Sequence, residues 1–98
     1  MYVFVRNDLT NAQRMVQSSH AAIEAARNLD PTVEHPHLVL LSIKSENKLK
    51  SVMEEMRGYG FSVFPFVEPD KNNEITAFAV GYIGGGDRDK FKRFQLVV

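Results

Sequence analysis

The 98-residue chain contains no cysteine, no tryptophan and no excess of charge of either sign. Without cysteine it forms no disulfide, no thiolate metal site and no cysteine nucleophile. Its 12 basic and 12 acidic residues balance, which argues against a large nucleic-acid footprint while leaving room for a local basic patch. No apolar run approaches the roughly 20 residues that a membrane-spanning helix needs, so we expect no membrane partner.

What the chain does contain is typical of one globular domain. Hydrophobic residues make up 44% and charged residues 24% of the sequence, and the length suits a single domain over residues 1–98. The first residues read as a strand and lack the pattern of a leader peptide. We therefore expect a cytoplasmic protein.

Runs of β-forming residues alternate with helical periodicity along the chain. They predict strands over 2–5, 38–43, 61–67 and 74–83, and a helix over 11–29. Ser45 caps a second helix that Gly58 and Gly60 end. The fold class is α/β, a four-stranded mixed sheet flanked by two main helices in the order β-α-β-α-β-β-(short α). Helical crossovers imply parallel strands, and Pro65 places the third strand at an edge.

Each helix has a stripe of residues that we expect to face the sheet. In the second helix it consists of Leu49, Val52, Met53 and Met56. In the first helix it consists of Ala12, Val16, Ser19, Ile23 and Ala26, with Met15 and Ala22 beside them. Residues 84–86 are three glycines and predict a flexible hinge, and 88–94 predict a last helical turn.

A polar ridge runs beside the apolar stripe of the first helix. Its residues are spaced by 4, 3, 4 and 3 positions: Gln13, Gln17, His20, Glu24 and Arg27. Two amides and an imidazole at the rim of a buried face can wall a site, and the same spacing suits a solvated flank. His20 can act as a general base, or a neighbouring backbone group can satisfy its ring.

Polar residues also gather where strands end. Arg6 and Asp8 precede the first helix, at a junction where open α/β sheets often bind anions. The segment from Glu68 to Asp70, with Glu74 nearby, clusters carboxylates that suit a site or an ordinary polar turn. No metal site is predicted, because His35 and His37 lack a third ligand.

A basic cluster lies near the end of the chain, interleaved with Phe91 and Phe94. Its members are Arg88, Lys90, Lys92 and Arg93. Such a cluster can contact a phosphate backbone, or it can be a solvated face whose two phenylalanines pack inward.

Two motifs resemble the type II peptidyl-tRNA hydrolase family. Residues 5–9 read Val-Arg-Asn-Asp-Leu, similar to the Arg-x-Asp-Leu that ends the family's first strand. Residues 16–21 read Val-Gln-Ser-Ser-His-Ala, similar to its Ala-Gln-x-x-His-Ala helix signature. Residues 76–81 look like its last strand, and the order of elements agrees over most of the chain.

The resemblance implies a mixed four-stranded sheet, a homodimer and hydrolysis of the ester between a peptide and the tRNA 3′ end. It implies no cofactor. It assigns catalytic roles to His20, Asp70 and Thr76. Gln17 matches the signature glutamine, and the substrate-binding set is completed by Arg6, Asp8, Gln13, Glu68 and Glu74.

The family carries a lysine where this chain has Gln13. If the chain is a hydrolase, we expect either that Gln13→Lys raises activity or that Arg6 or Arg14 already supplies the missing charge. The alternatives are a module that binds a tRNA acceptor end or nucleotide-like ligand without cleaving it, and a hydrolase of another phosphorylated nucleotide.

Overall fold

A computed structural model describes residues 1–29, 37–81 and 83–97. The elements are β1 (Tyr2–Arg6), α1 (Asn11–Asn28), β2 (Val39–Ile43), α2 (Glu46–Gly58), β3 (Val63–Glu68), β4 (Glu74–Val80) and β5 (Gln95–Leu96). Short 3₁₀ helices cover Pro69–Lys71 and Gly85–Phe91. The sequence also predicts a loop over 32–37, which lies, apart from His37, outside the described residues.

Within the described residues the strands form one mixed sheet in the order β3-β4-β1-β2-β5. β1 pairs in parallel with β2 and antiparallel with β4, and β3 pairs antiparallel with β4. The continuous apolar run over 2–5 predicts a strand near the sheet centre, and β1 is the middle strand. The α/β class, the parallel crossover and the edge position of the proline-containing strand are likewise confirmed.

The sheet has one strand more than predicted. Gln95 and Leu96 pair antiparallel with β2, a strand too short to give an alternating pattern in the sequence. The fourth strand ends at Val80 instead of 83, where the Gly81 N–H donates to the carbonyl of Ser62 at 3.0 Å. The predicted hinge is also wrong, since Gly85 and Gly86 begin the second 3₁₀ helix.

Two apolar clusters show that the helices cover opposite faces of the sheet. On one face Phe4 and Phe78 stack with ring centroids 4.6 Å apart, packed against the predicted stripe of α2: Leu49, Val52, Met53 and Met56. That stripe is confirmed. On the other face Val3, Val5, Ala77 and Ala79 pack against Ala21 and Ala25 of α1.

The buried face predicted for α1 is wrong. The side chains turned to the sheet are Gln17, Ser18, Ala21 and Ala25. Met15, Val16 and Ile23, predicted to be buried, are 70%, 51% and 54% exposed. The helix is therefore turned about its axis relative to the prediction, and its alanines let it approach β4 closely. The polar residues on the buried face form hydrogen bonds: the Ser18 hydroxyl donates to the Arg14 carbonyl at 2.7 Å.

Candidate functional site

The candidate site lies at one edge of the sheet, where β1 and β3 end and β4 begins. Because β4 runs antiparallel to both neighbours, the last residues of those strands meet the first residues of β4. Six of the predicted site residues gather there by this topology: Arg6, Asp8, Glu68, Asp70, Glu74 and Thr76. In open α/β sheets this is the edge where ligands usually bind.

Arg6 is held on both sides by carboxylates. Its Nε and Nη2 donate to the two carboxylate oxygens of Asp8, each at 2.9 Å, and its Nη1 donates to Glu74 Oε1 at 2.8 Å. The side chain of Arg6 is only 9% exposed. The guanidinium keeps the pKa of Asp8 below its ordinary value. Arg6 thus ties β1 to β4 and has its charge already neutralised.

Gln17 joins α1 to the same edge through a chain of hydrogen bonds. Its Nε2 donates to Glu68 Oε2 at 2.7 Å, and its Oε1 accepts from the Thr76 hydroxyl at 2.9 Å. Thr76 is fully buried, so its hydroxyl orients the amide of Gln17. The contact with Gln17, together with the Asp70 N–H, lowers the pKa of Glu68.

His20 lies one turn beyond Gln17, on the exposed rim of α1. Its ring stacks on Phe66 of β3, with centroids 4.3 Å apart and planes 6° from parallel. Among the described residues the imidazole nitrogens make no hydrogen bond with a protein group. The stacking fixes the ring plane, and His20 as a whole is exposed to solvent. Sequence reasoning missed Phe66, whose only signal was its place in a predicted edge strand.

Gln13 forms part of the start of α1. The Gln13 N–H donates to Thr10 Oγ1 at 3.2 Å, and Gln13 Oε1 accepts from the Thr10 N–H at 3.0 Å. This reciprocal pair is a capping box. It occupies the carbonyl oxygen of the Gln13 side chain.

The remaining predicted residue of the turn, Asp70, is exposed in the 3₁₀ helix Pro69–Lys71. Glu46 joins the site as a residue that sequence reasoning missed. Its Oε2 accepts from the Ile75 N–H at 2.9 Å and lies 3.8 Å from Lys50 Nζ. Its position in the first turn of α2, after the strand β2, was the available signal.

The site edge is richer in carboxylates than in cations. Five carboxylates belong to it: Asp8, Glu46, Glu68, Asp70 and Glu74. The cations beside them are Arg6, which is paired with two of the carboxylates, Lys50 and Lys71. An edge of this charge repels the phosphates of a nucleic-acid backbone. No three His, Asp or Glu residues within 1–29, 37–81 and 83–97 are placed to hold a metal ion.

The predicted basic cluster is largely neutralised by neighbouring acids. Lys90 pairs with Asp87 at 3.1 Å, Lys92 with Asp89 at 2.7 Å, and Arg93 with Glu55 at 2.5 Å. The two phenylalanines pack inward: Phe91 stacks on Tyr2 and Phe94 meets Phe4 edge-on. The arrangement fits a solvated face better than a phosphate-binding surface.

Comparison with models of known protein families found no match, and comparison with curated proteins found none. Within the described part of the chain, no helix is both long and apolar enough to span a bilayer.

Proposed function

We propose that this edge is the active site of a cofactor-independent hydrolase that cleaves the ester of peptidyl-tRNA, with the cytoplasm as the expected compartment. The observation that carries the proposal is the hydrogen-bond chain from Thr76 through Gln17 to Glu68, with the accessible imidazole of His20 one helical turn away. Gln17 and His20 are also the residues of the helix signature that resembles the type II family.

In this proposal His20 is the catalytic base. Its imidazole accepts a proton from the attacking water, since a neutral imidazole near pH 7 is suited to that transfer. Phe66 holds the ring plane by stacking against it. The proton then goes to the leaving ribose oxygen as the ester bond breaks.

Gln17 and Thr76 have different roles. Thr76 is buried and acts as a positioning residue for Gln17. A primary amide has two N–H donors, and the contact with Glu68 uses one of them. We assign the second to the developing oxyanion, which needs a positioned donor in this chemistry. Asp70, at the exposed turn, positions the substrate.

The charge of the edge limits what the substrate contact involves. Since Arg6 is paired and Gln13 caps α1, this edge offers no free cation at the family's lysine position. Recognition therefore falls on the ester, the terminal ribose and the peptide more than on backbone phosphates. The same observation favours the second candidate function, a module that binds a tRNA end or nucleotide-like ligand without turnover.

Replacing His20 with alanine separates the two candidates. As a hydrolase, His20→Ala is expected to lose about 100-fold or more in the rate of peptide release from labelled peptidyl-tRNA. His37→Ala, which changes an exposed histidine two residues before β2, is the matched control and is expected to leave the rate unchanged. Equal rates in both variants would contradict the role of His20, and binding without turnover in the unmodified chain would support the module.

We further propose that the chain forms a homodimer through the outward face of α1. Met15, Val16 and Ile23 are largely exposed there, and Ala12 and Ala26 lie seven residues to either side of Ser19. Two antiparallel copies crossing at Ser19 would bring Met15 of one against Ile23 of the other, a self-complementary arrangement. The stripe has no charged residue, so no like-charge repulsion opposes the contact.

Introducing a charge into this stripe is expected to dissociate the dimer. Ile23→Asp should sediment as a monomer at concentrations where the unmodified chain sediments as a dimer, because an unpaired carboxylate is costly in an apolar interface. Leu38→Asp, at an exposed leucine off α1, is the matched control and should remain dimeric. A monomeric unmodified chain at about 100 µM, well above ordinary micromolar dimer affinities, would refute the proposal.

A further inference from the structure

A groove of about 470 Å³ lies on the flank of α1 away from His20. Its apolar wall is formed by Met15, Leu40 and Val97, where the Val97 N–H donates to the Leu40 carbonyl at 3.1 Å. Its polar end holds Asn11, Arg14, Ser18 and Ser19. None of these residues belongs to the proposed active site.

Arg14 is unusual among the arginines of the described residues. Arg6, Arg27, Arg57 and Arg93 each form an ion pair with a carboxylate. Arg14 forms none, although it is partly buried. Arg88 is likewise unpaired, but it is exposed to solvent, which stabilises its charge.

The guanidinium of Arg14 also has unused hydrogen-bonding capacity. Its Nη2 contacts Asn11 Oδ1, while its buried Nε has no partner. A cation that lines an apolar groove and has no carboxylate partner among the described residues favours an anionic ligand. The hydroxyls of Ser18 and Ser19 already donate to helix carbonyls at 2.7 Å. Arg14 is the charged residue that lines the groove, so its positive charge determines that a bound ligand should be anionic.

We propose that this groove binds a small aliphatic carboxylate. The carboxylate pairs with the guanidinium of Arg14, for which it has the matching planar geometry. The aliphatic tail lies along Leu40 and Val97, where apolar area is removed from water. A phosphate without a tail would leave that wall uncovered, and a neutral alcohol would leave Arg14 unpaired.

Titration with hexanoate, followed by amide chemical shifts, tests this site in the intact chain. Saturable shifts are expected at Ser18, Leu40 and Val97. Arg14→Gln is expected to weaken binding at least about tenfold, the loss of one charge-assisted pair. Arg57→Gln removes an arginine from α2 and should bind as the unmodified chain does. Hexan-1-ol should bind at least about tenfold more weakly than hexanoate.

Val97→Glu provides a second test that does not depend on the folding of Arg14→Gln. It places a carboxylate of the chain itself beside Arg14, so hexanoate binding should be lost. Equal binding of hexanoate to Arg14→Gln, equal binding of hexanol, or full binding to Val97→Glu would each overturn the proposal. None of these results depends on hydrolase activity, so a failed groove and a failed active site remain distinguishable.

Discussion

Arg6→Met is expected to lower the free energy of unfolding by about 2–3 kcal/mol at pH 7. Breaking a buried ion pair by removing one partner typically costs about 3–5 kcal/mol. The smaller value follows because Asp8 and Glu74 are 43% and 34% exposed and can regain water. For a domain of this size, the midpoint temperature of thermal unfolding should fall by about 10–20 °C.

The pH dependence of that loss has a definite sign. Arg6 keeps the pKa of Asp8 below its ordinary value, so this stabilisation is present above about pH 4 and is lost as pH falls through the folded-state pKa. The difference in unfolding free energy between the unmodified chain and Arg6→Met should therefore shrink on acidification. Arg57→Met, which breaks an exposed pair with Glu54, should cost less than about 1 kcal/mol. Equal losses of stability in both variants would contradict the stabilising role of the ion pairs that Arg6 forms with Asp8 and Glu74.

Gln17→Leu is expected to cost about 1–3 kcal/mol of stability, because it leaves the buried hydroxyl of Thr76 without its acceptor. Thr76→Val should cost a similar amount by leaving Gln17 Oε1 unpaired. Combining the two removes both partners, so the double variant should lose clearly less than the sum of the single losses. Urea unfolding of the four proteins gives the coupling directly.

Additive losses in that cycle would contradict the hydrogen bond between Gln17 and Thr76. The same variants also test the division of roles in the proposed site. Thr76→Val should reduce turnover less than Gln17→Leu, because the valine variant keeps the amide that we assign to the oxyanion. If the Thr76→Val protein folds but is as inactive as His20→Ala, Thr76 would have a catalytic role rather than a positioning one.

The buried face of a helix could be predicted from the sequence where that face consists of apolar side chains alone. The buried stripe of α2 could be predicted from the helical spacing of its apolar residues, which are Leu49, Val52, Met53 and Met56. Burying these side chains against the sheet removes apolar surface from water, and no polar residue interrupts the stripe. The buried face of α1 could not be predicted in this way. Gln17 and Ser18 are buried because their partners, Glu68, Thr76 and the Arg14 carbonyl, satisfy them, and two of these lie about 50–60 positions away along the chain.

The candidate site was predictable as a set of residues and not as a set of contacts. Arg6, Asp8, Glu68 and Glu74 lie at or beside the ends of predicted strands, and the antiparallel pairing of β4 with β1 and β3 brings them together. Arg6 pairs with Glu74, which lies 68 positions away along the chain. No local sequence pattern predicts this ion pair. The same holds for the stacking of His20 on Phe66, which depends on β3 lying at the sheet edge beside α1.

Release of labelled peptide from peptidyl-tRNA by excess purified chain, followed in a single turnover, tests the central claim most directly. We expect first-order release with an intact tRNA as the other product, in a reaction that needs no added metal and that His20→Ala slows by about 100-fold or more. A correctly folded chain that leaves the ester uncleaved, at the rate of the buffer alone, would contradict the assignment of this edge as a hydrolase active site.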